Sequence, residues 1–495
     1  MTHDTSDLRP DRPRRVAIIG AGPGGICTGV RLLERGHRDF VILEKAPGIG
    51  GTWWHNRYPG AECDIKSHLY SFSFAPNPAW SRAYARQPEI RAYLEECVER
   101  FGLGPHLRLG TEVHSARWSD TDALWRLTVG DDGEVVEADV VISALGMFGA
   151  PVAPDIPGLD RFTGTIFHSA RWDDEHDLTG EAVAVIGSAA SAVQLVPEIA
   201  PIVGQLDLYQ RSANWVLPKE DDPFSAEQVE TFRNDADAIT ALRDSIFSTV
   251  DPNLTFADPE RRAMAEAAGL HNIEAVEDPE VRRKLTPNMP FGCKRPLASN
   301  LYYPTFNRPN VELVVEPITE ITEHAVVTAD GRARPVDTII LATGFATTKF
   351  LGALDVVGRG GVHIDDAWAD GPHAYLGITT SGFPNLFMLY GPNTNNGSII
   401  YMIECQVEYV MELLDRMDDE RIVAVDVKRQ VMDEYNTALQ DTLAGVEVWQ
   451  AGCRGYYRVP SGRIVTQWPG SMSEYRARTQ HPDADAFEIV APVAT

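Results

Sequence analysis

The sequence predicts an α/β protein with two Rossmann-like dinucleotide-binding domains and a helical insertion. Two glycine-rich turns, one beginning at Gly20 and one at Gly187, each stand between an apolar strand pattern and a helix pattern. Residues 216–290 are charged, show helical spacing and have few strand signals, which predicts the insertion. The chain has 495 residues, enough for several domains of ordinary size.

The order of these patterns predicts the domain boundaries. The proline-rich stretch 147–158 is expected to connect the first domain to the second. The polar start is expected to be a disordered lead, and the acidic stretch 480–488 a tail. The predicted units are the lead at 1–14, the first nucleotide domain at 15–150 and 346–495, the second at 151–215 and 291–345, and the helical insertion at 216–290.

The charge balance is acidic, since 71 Asp and Glu residues against 44 Lys and Arg give a net charge of −27. This argues against a nucleic-acid partner. No apolar run reaches the roughly 18 residues of a membrane span, and no signal-peptide pattern is present, so a cytoplasmic location is expected. The cysteines lack C-x-x-C spacing, so we expect buried free thiols and no metal site at Cys27, Cys63, Cys97, Cys293, Cys405 and Cys453.

The first glycine-rich turn has the full dinucleotide signature. The apolar run 16–19 predicts a strand, and Gly20, Gly22 and Gly25 follow it. The first glycine permits the tight turn, the second lets the backbone approach a pyrophosphate, and the third lets helix and strand pack closely. A second predicted strand ends in Glu44, whose carboxylate is expected to accept hydrogen bonds from a ribose.

The second turn departs from that signature because alanine stands at its second and third glycine positions. A methyl group at the second position meets the place where the backbone approaches the pyrophosphate. The order of strand, turn and helix still favours a nucleotide site, with Gly187, Ser188, Ala189 and Ser191 as candidate binding residues.

Arg211 and Ser212 follow the next predicted strand, where an NAD site carries an acidic residue. A carboxylate at this position would repel a 2′-phosphate, whereas an arginine and a hydroxyl bind one. The sequence therefore predicts NADPH over NADH.

A patterned stretch lies between the two turns. It carries Phe162, Gly164, His168, Trp172 and Asp173 in the spacing F-x-G-x3-H-x3-W-D. This stretch resembles the fingerprint of the type I Baeyer–Villiger monooxygenases. The resemblance implies an FAD- and NADPH-dependent enzyme that uses O2 to convert a ketone to an ester or lactone through a C4a-peroxyflavin. It also implies that FAD occupies the first domain and NADPH the second, and that the fingerprint links them without touching substrate.

A second stretch resembles the same family. Gly51, Thr52 and Trp53 open a segment rich in glycine and aromatic residues that ends at Asp64. The similar segment of the family lies along the flavin, so the resemblance implies that Asp64 lies near the isoalloxazine ring.

A third similar stretch runs from Phe291 to Arg295. By the resemblance, Arg295 holds the anionic intermediates, because an arginine stays charged and presents several donors. Asp64 pairs with Arg295 and orients it, and these two are the candidate catalytic residues. Lys294 is expected to assist Arg211 at the 2′-phosphate.

The last candidate site is a loop rich in glycine and asparagine before a predicted helix at 398–416. The start of this helix and Asn393 in the loop are expected to donate hydrogen bonds to the flavin. We expect loops and the helical insertion to build the substrate pocket.

Three alternatives stay open. The first is a flavin monooxygenase that oxygenates nitrogen or sulfur, against which the pairs Trp172-Asp173 and Lys294-Arg295 argue. The second is a simple NADPH reductase of the ferredoxin-reductase kind, which needs neither the fingerprint nor an arginine beside the flavin. The third is a flavin-binding redox sensor without turnover.

Overall fold

Two parallel sheets organise the chain, and all other elements are placed around them. The structure is a computed structural model that describes residues 12–352, 354–453 and 455–492. Its strands in chain order are β1 (Val16–Ile19), β2 (Phe40–Leu43), β3 (Leu107–Arg108), β4 (Val113–Ser119), β5 (Leu124–Val129), β6 (Glu134–Ala138), β7 (Val140–Ser143), β8 (Thr165–His168), β9 (Ala182–Ile186), β10 (Gln205–Tyr209), β11 (Val216–Leu217), β12 (Leu297–Ala298), β13 (Val311–Val314), β14 (Ile318–Ile321), β15 (Ala325–Thr328), β16 (Ala333–Pro335), β17 (Thr338–Leu341), β18 (Asp355–Val357), β19 (Leu386–Met388), β20 (Ala424–Val427) and β21 (Phe487–Val490).

The helices pack on the faces of these sheets or form separate layers. They are α1 (Pro23–Glu34), α2 (Thr52–His55), α3 (Gln87–Arg100), α4 (Ala190–Ile199), α5 (Ala226–Asn234), α6 (Ala236–Val250), α7 (Pro259–Ile273), α8 (Pro279–Leu285), α9 (Tyr302–Thr305), α10 (Ile364–Ala367), α11 (Ile399–Asp419), α12 (Arg429–Ala444) and α13 (Met472–Thr479). Short 3₁₀ helices lie at Gly104–His106, Leu159–Arg161, Ser169–Arg171, Asp251–Asn253, Arg359–Gly361, Glu447–Gln450 and Ala484–Ala486. None of the helices in the described ranges is long and apolar enough to cross a membrane.

The first sheet has the strand order β19-β7-β1-β2-β3, and its neighbouring strands are parallel. Every residue of β1 and β7 is buried, as expected of parallel strands covered on both faces. Helices α1 and α11 pack against each other. The last strand, β19, comes from the far end of the chain, so two distant segments build one sheet.

The second sheet has the order β13-β10-β9-β17-β8 and is also parallel. Its edge strand β8 lies inside the fingerprint stretch, which is thus part of the sheet and more than a linker. The prediction of an α/β protein with two Rossmann-like units is confirmed. A four-stranded sheet, β18-β4-β5-β6, flanks the first unit, and its strand β6 was not predicted, because only one of its five residues is buried.

The insertion contains the helices α5 to α8, each started by a side-chain cap. Ser225 forms a capping box with Gln228 at the start of α5. Asp235, Asp258 and Asp278 accept hydrogen bonds from the first amides of the next three helices. These caps divide the predicted helical insertion into four separate helices.

Three sequence predictions need correction. The predicted acidic tail contains part of β21, which pairs with β20 and is therefore part of the fold. The predicted lead is too long. Arg12 donates to the carboxylate of Asp139, and Arg14 donates to the carbonyls of Ile422 and Val423. Residues 1–11 lie outside the described residues. The expectation of free thiols is wrong for Cys293 and Cys453, which form a disulfide.

Candidate active site

A cavity of about 1680 Å³ lies where the carboxyl ends of the two sheets face each other. Ligands of open parallel sheets bind at this edge, beyond the strand ends. Most of the candidate residues predicted from the sequence line this cavity. They are Gly20, Gly22, Glu44, Gly51, Thr52, Trp53, Asp64, Gly187, Ser188, Ala189, Ser191, Arg211, Ser212, Lys294 and Arg295.

The first turn is shaped by close backbone contacts. Gly20 has a φ of +106°, and a Cβ atom there would lie 2.9 Å from the carbonyl oxygen of Ala144. A Cβ atom at Gly25 would lie 2.0 Å from the carbonyl oxygen of Gly20, so this glycine lets α1 pack on β1. Gly22 caps α1 without a side-chain hydrogen bond. The first amides of α1 are therefore available to an anion in the cavity.

Glu44 is buried at the end of β2 and supports the same turn. Its carboxylate accepts hydrogen bonds from the backbone amides of Ala21 and Ala46, each at 2.8 Å. These bonds fix the carboxylate beside the turn, and a carboxylate has lone pairs left for further donors. Its predicted contact with a ribose stays a prediction.

The second turn repeats this arrangement on β9. Gly187 has a φ of +114°, and a Cβ atom there would lie 2.3 Å from the carbonyl oxygen of Ala342. Helix α4 begins after Ala189, again without a side-chain cap. The strand–turn–helix geometry is therefore kept although alanine replaces two glycines.

A basic cluster lies at the end of the cavity that borders the second sheet. The ammonium of Lys294 donates a hydrogen bond of 2.7 Å to Oγ of Ser212, whose carbonyl accepts from Ser188 at 3.4 Å. Burial, with a smaller effect of the nearby Arg211, lowers the pKa of Lys294. The cluster brings together the three residues predicted to bind a 2′-phosphate.

Arg295 and Asp64 meet on the cavity wall between the two turns. Nε and Nη2 of the guanidinium donate to Oδ2 of the carboxylate at 2.9 and 2.6 Å. The side chains of Arg295 and Asp64 are 29 % and 33 % exposed, respectively. The carboxylate raises the pKa of Arg295 well above its usual value, so the guanidinium is a fixed positive charge.

Three tyrosines, which the sequence did not point to, surround this pair. Tyr70 accepts a hydrogen bond from Nε1 of Trp53 at 3.1 Å, and Tyr390 bonds to Asn395. The hydroxyl of Tyr456 is buried and has no hydrogen-bond partner among the described residues. Burial raises the pKa of Tyr390, so this phenol stays neutral. No local motif marks these tyrosines, because they come from distant loops.

The fingerprint stretch lies behind the cavity wall. His168 donates from Nε2 to the carbonyl of Gly344 at 3.1 Å and accepts at Nδ1 from the amide of Ala170. Burial lowers its pKa, which favours the neutral ring. Trp172 packs edge-on against Phe167 with ring centroids 5.0 Å apart. These contacts fix the end of β8.

The other fingerprint residues have structural contacts as well. Phe162 belongs to a buried apolar cluster on the second sheet, and a Cβ atom at Gly164 would lie 2.2 Å from the carbonyl oxygen of Asp337. Asp173 accepts a hydrogen bond from the amide of Glu175. In the described ranges, none of the five fingerprint residues lines the cavity.

The fingerprint stretch also contacts the segment that runs from Gly51 to Asp64. Arg171 approaches Nδ1 of His55 at 3.4 Å, and Arg57 forms an ion pair of 2.9 Å with Asp174. Burial, followed by the charge of Arg171, lowers the pKa of His55 to about 4. The two nucleotide units are thereby joined beside the cavity.

Two site predictions fall on residues that do not line the cavity. Asn393 is buried, donates to the carbonyls of Ile464 and Gln467, and does not line the cavity, so its contact with a cofactor stays a prediction. The described residues of 216–290 do not line this cavity, and the expectation that the insertion helps to build the substrate pocket stays a prediction. Apolar residues of α6 pack instead against a cluster formed by the C-terminal helices.

The fold and site thus define a pyridine-nucleotide oxidoreductase with two dinucleotide turns facing one cavity. A family model described as pyridine nucleotide-disulphide oxidoreductase matches residues 17–241. A Baeyer–Villiger monooxygenase from Pseudomonas aeruginosa is 43% identical over 482 residues, which cover 96% of this chain and 91% of the relative. The chain belongs to the Baeyer–Villiger monooxygenase family.

Solved structures agree with this assignment. A cyclohexanone monooxygenase from Rhodococcus sp. Phi1 bound to NADP+ is similar with a TM-score of 0.87 and 33% identity, covering 97% of this chain and 100% of that one. The monooxygenase OTEMO in complex with FAD and NADP is similar with a TM-score of 0.85 and 30% identity, covering 94% and 97%.

Proposed function

We propose that the protein is an FAD- and NADPH-dependent Baeyer–Villiger monooxygenase that converts a small ketone to an ester or lactone with O2. The observation that carries the proposal is the ion pair of Arg295 and Asp64 between two nucleotide turns. Two similar solved structures, one bound to NADP+ and one in complex with FAD and NADP, support the same proposal. The cytoplasmic location stays a prediction.

The first unit, residues 15–150 and 346–495, is proposed to bind FAD. Its open turn and uncapped helix start fit a pyrophosphate, with Gly20, Gly22 and Gly25 shaping the turn and Glu44 beside the ribose. The segment from Gly51 to Trp53 and Asp64 would lie along the ring system. Bound FAD supplies the redox centre that takes hydride from NADPH and activates O2.

The second unit, residues 151–215 and 291–345, is proposed to bind NADPH. Gly187, Ser188, Ala189 and Ser191 would surround the pyrophosphate at the start of α4. The cluster of Arg211, Ser212 and Lys294 would bind the 2′-phosphate, which needs charge-assisted donors.

Arg295 is proposed to be the cation that stabilises the negative charge developing during the reaction. Asp64 engages Nε and Nη2, and within the described residues Nη1 makes no hydrogen bond to protein. This geometry leaves one donor edge for a substrate oxygen on which negative charge develops. Asp64 would orient the guanidinium, and the cavity wall would exclude water. The fingerprint residues, which lie behind the cavity wall, are proposed to couple movements of the two units.

An assay with isotopically labelled O2 tests this function. The flavin-loaded protein would be given NADPH, labelled O2 and a panel of ketones, with thioethers and amines as the competing panel. We expect an ester or lactone that carries one labelled oxygen atom. Sulfoxide or N-oxide without ester would instead establish the alternative, a flavin monooxygenase that oxygenates nitrogen or sulfur. Failure of NADPH to bleach the flavin would favour a redox sensor.

A further inference from the structure

A disulfide joins two segments that the proposed mechanism does not connect. Cys293 and Cys453 are 160 residues apart in sequence, and their Cα atoms are 6.0 Å apart. Cys293 directly precedes Lys294 and Arg295. The other cysteines in the described residues, Cys27, Cys63, Cys97 and Cys405, are buried free thiols.

The disulfide holds residues 449–453 and 455–457, which we name the tyrosine loop, against the segment that carries Arg295. At one end of this loop, Nε1 of Trp449 donates to the carbonyl of Gly292 at 3.1 Å. Further along, a Cβ atom at Gly455 would lie 3.8 Å from Cγ of Lys294. The loop therefore lies directly over the proposed 2′-phosphate and catalytic residues.

The tyrosine loop also forms part of the cavity wall. Tyr456 lines the cavity and is close enough to Arg295 for its phenol to affect the pKa of that guanidinium. Its backbone carbonyl accepts from the hydroxyl of Thr347 at 3.4 Å. The disulfide adds a covalent bond to these contacts and limits the distance between the loop and Arg295.

The two cysteines differ in their exposure to solvent. Cys293 is only 4 % exposed, whereas Cys453 is half-buried and lies between the exposed residues Gly452 and Gly455. A small oxidant or a dithiol therefore reaches Cys453 first. The buried Cys293 is the adjacent thiol that completes the bond.

We propose that Cys293 and Cys453 form a reversible redox-modification site whose oxidant is hydrogen peroxide and whose reductant is a dithiol. The inference rests on the proposed function, because NADPH oxidation without ketone oxygenation reduces O2 to hydrogen peroxide. The thiolate of Cys453 attacks the peroxide, which breaks the O–O bond and gives a sulfenic acid and hydroxide. Cys293 then displaces the second oxygen as water and forms the disulfide. Exchange with a dithiol restores both thiols.

The two redox states differ in how firmly the tyrosine loop is held. In the disulfide state the loop is fixed over Lys294 and Arg295, as the structure shows. In the dithiol state this covalent link is lost, and the stretch between the buried side chains of Trp449 and Tyr457 is freer to move. Peroxide from NADPH oxidation without ketone oxygenation thus holds the loop beside Lys294, which strengthens NADP+ binding.

The first experiment tests the modification on the flavin-loaded protein. Samples treated with dithiothreitol or with hydrogen peroxide would be alkylated and digested, and the peptides identified by mass spectrometry. We expect a peptide pair linked through Cys293 and Cys453 after peroxide and two alkylated thiols after dithiothreitol. Free thiols at both positions after peroxide would overturn the proposal. A disulfide that dithiothreitol cannot reduce in the folded protein would overturn it as well. Neither readout depends on ketone oxygenation, so a failed ketone assay leaves this result intact.

The second experiment measures the dissociation constant of NADP+ in both redox states. We expect reduction to weaken binding by about fivefold or more. Cys453→Ser and Cys293→Ser should each bind like the reduced protein and ignore both reagents, so one variant suffices if the other fails to fold. The control Cys97→Ala should respond like the parent, because this thiol is unlinked. An unchanged dissociation constant despite a switched disulfide would make the bond purely structural and refute the inference.

Discussion

Arg295 directs two of its donors at a single oxygen atom, Oδ2 of Asp64, across a separation of 231 residues. Both bonds come from the Nε–Nη2 edge, which is one of the edges with which a guanidinium binds a carboxylate. Here one side of the guanidinium is held and Nη1 remains for another ligand. The pair therefore fixes the position of the positive charge and the direction of its Nη1 donor.

Replacing the proposed catalytic cation should separate the two halves of the reaction. We expect Arg295→Ala to keep NADPH-dependent bleaching of the flavin absorbance but to lose about 100- to 1000-fold in ester formation, because developing negative charge loses its partner. Stopped-flow absorbance and product analysis measure the two steps. An ester rate equal to that of the parent protein would show that Arg295 has no catalytic role.

The basic cluster should decide between the two nicotinamide nucleotides. We expect Arg211→Ala to weaken NADPH binding about ten- to a hundredfold, since a charge-assisted hydrogen bond is worth about 1.5–3 kcal/mol. NADH binding should hardly change. Titration of each nucleotide gives the dissociation constants, and Arg233→Ala, which removes an exposed arginine of α5, is the control. Equal losses for both nucleotides would contradict a contact with the 2′-phosphate.

A glycine of the fingerprint should be required for packing. We expect Gly164→Ala to lower the free energy of unfolding by about 2 kcal/mol or more, because the new methyl group would meet the carbonyl of Asp337. Gly104→Ala is the matched control, since nothing lies within 4 Å of a Cβ atom there. Denaturant unfolding measures both variants. Similar stability of the two would argue against close packing at β8.

Acid should destabilise the protein partly through a buried histidine. Burial lowers the pKa of His68 to about 4, below the roughly 6.5 of an unfolded chain. As the pH falls from about 6.5 to 4, the unfolded chain gains the proton first, so the free energy of unfolding decreases, by up to about 3 kcal/mol from this residue.

Unfolding curves at several pH values test this effect. His68→Gln should show a weaker loss between pH 6.5 and 4 than the parent protein, because its side chain does not titrate. His271→Gln should behave like the parent, since the side chain of His271 is 83 % exposed. Identical pH profiles for all three proteins would remove His68 as a cause.

The parts of the molecule that the sequence predicted are those fixed by local geometry. Gly20 and Gly187 need positive φ values in tight turns, and this requirement is visible in neighbouring residues. The pair of Arg295 and Asp64 followed only from a family resemblance, because nothing local joins two residues so far apart.

The features that the sequence missed depend on long-range contacts. Cys293 and Cys453 lack the close spacing that marks a cysteine pair, and Tyr456 reaches the cavity from a loop without a pattern. Strand β21 pairs with β20 across a long stretch of chain, and its acidic surroundings are typical of a tail. The amide of Asn393 binds neighbouring carbonyls, which its glycine-rich loop did not predict, and its contact with the flavin stays a prediction.

The position of β19 has a consequence for the order of folding during synthesis. The second sheet is complete once β17 has been made, whereas the first sheet still lacks its outer strand β19. Domains generally fold as units as they leave the ribosome. The inner unit is therefore able to fold first, and a nascent chain that stops before β19 exposes the buried edge of β7 to chaperones and proteases.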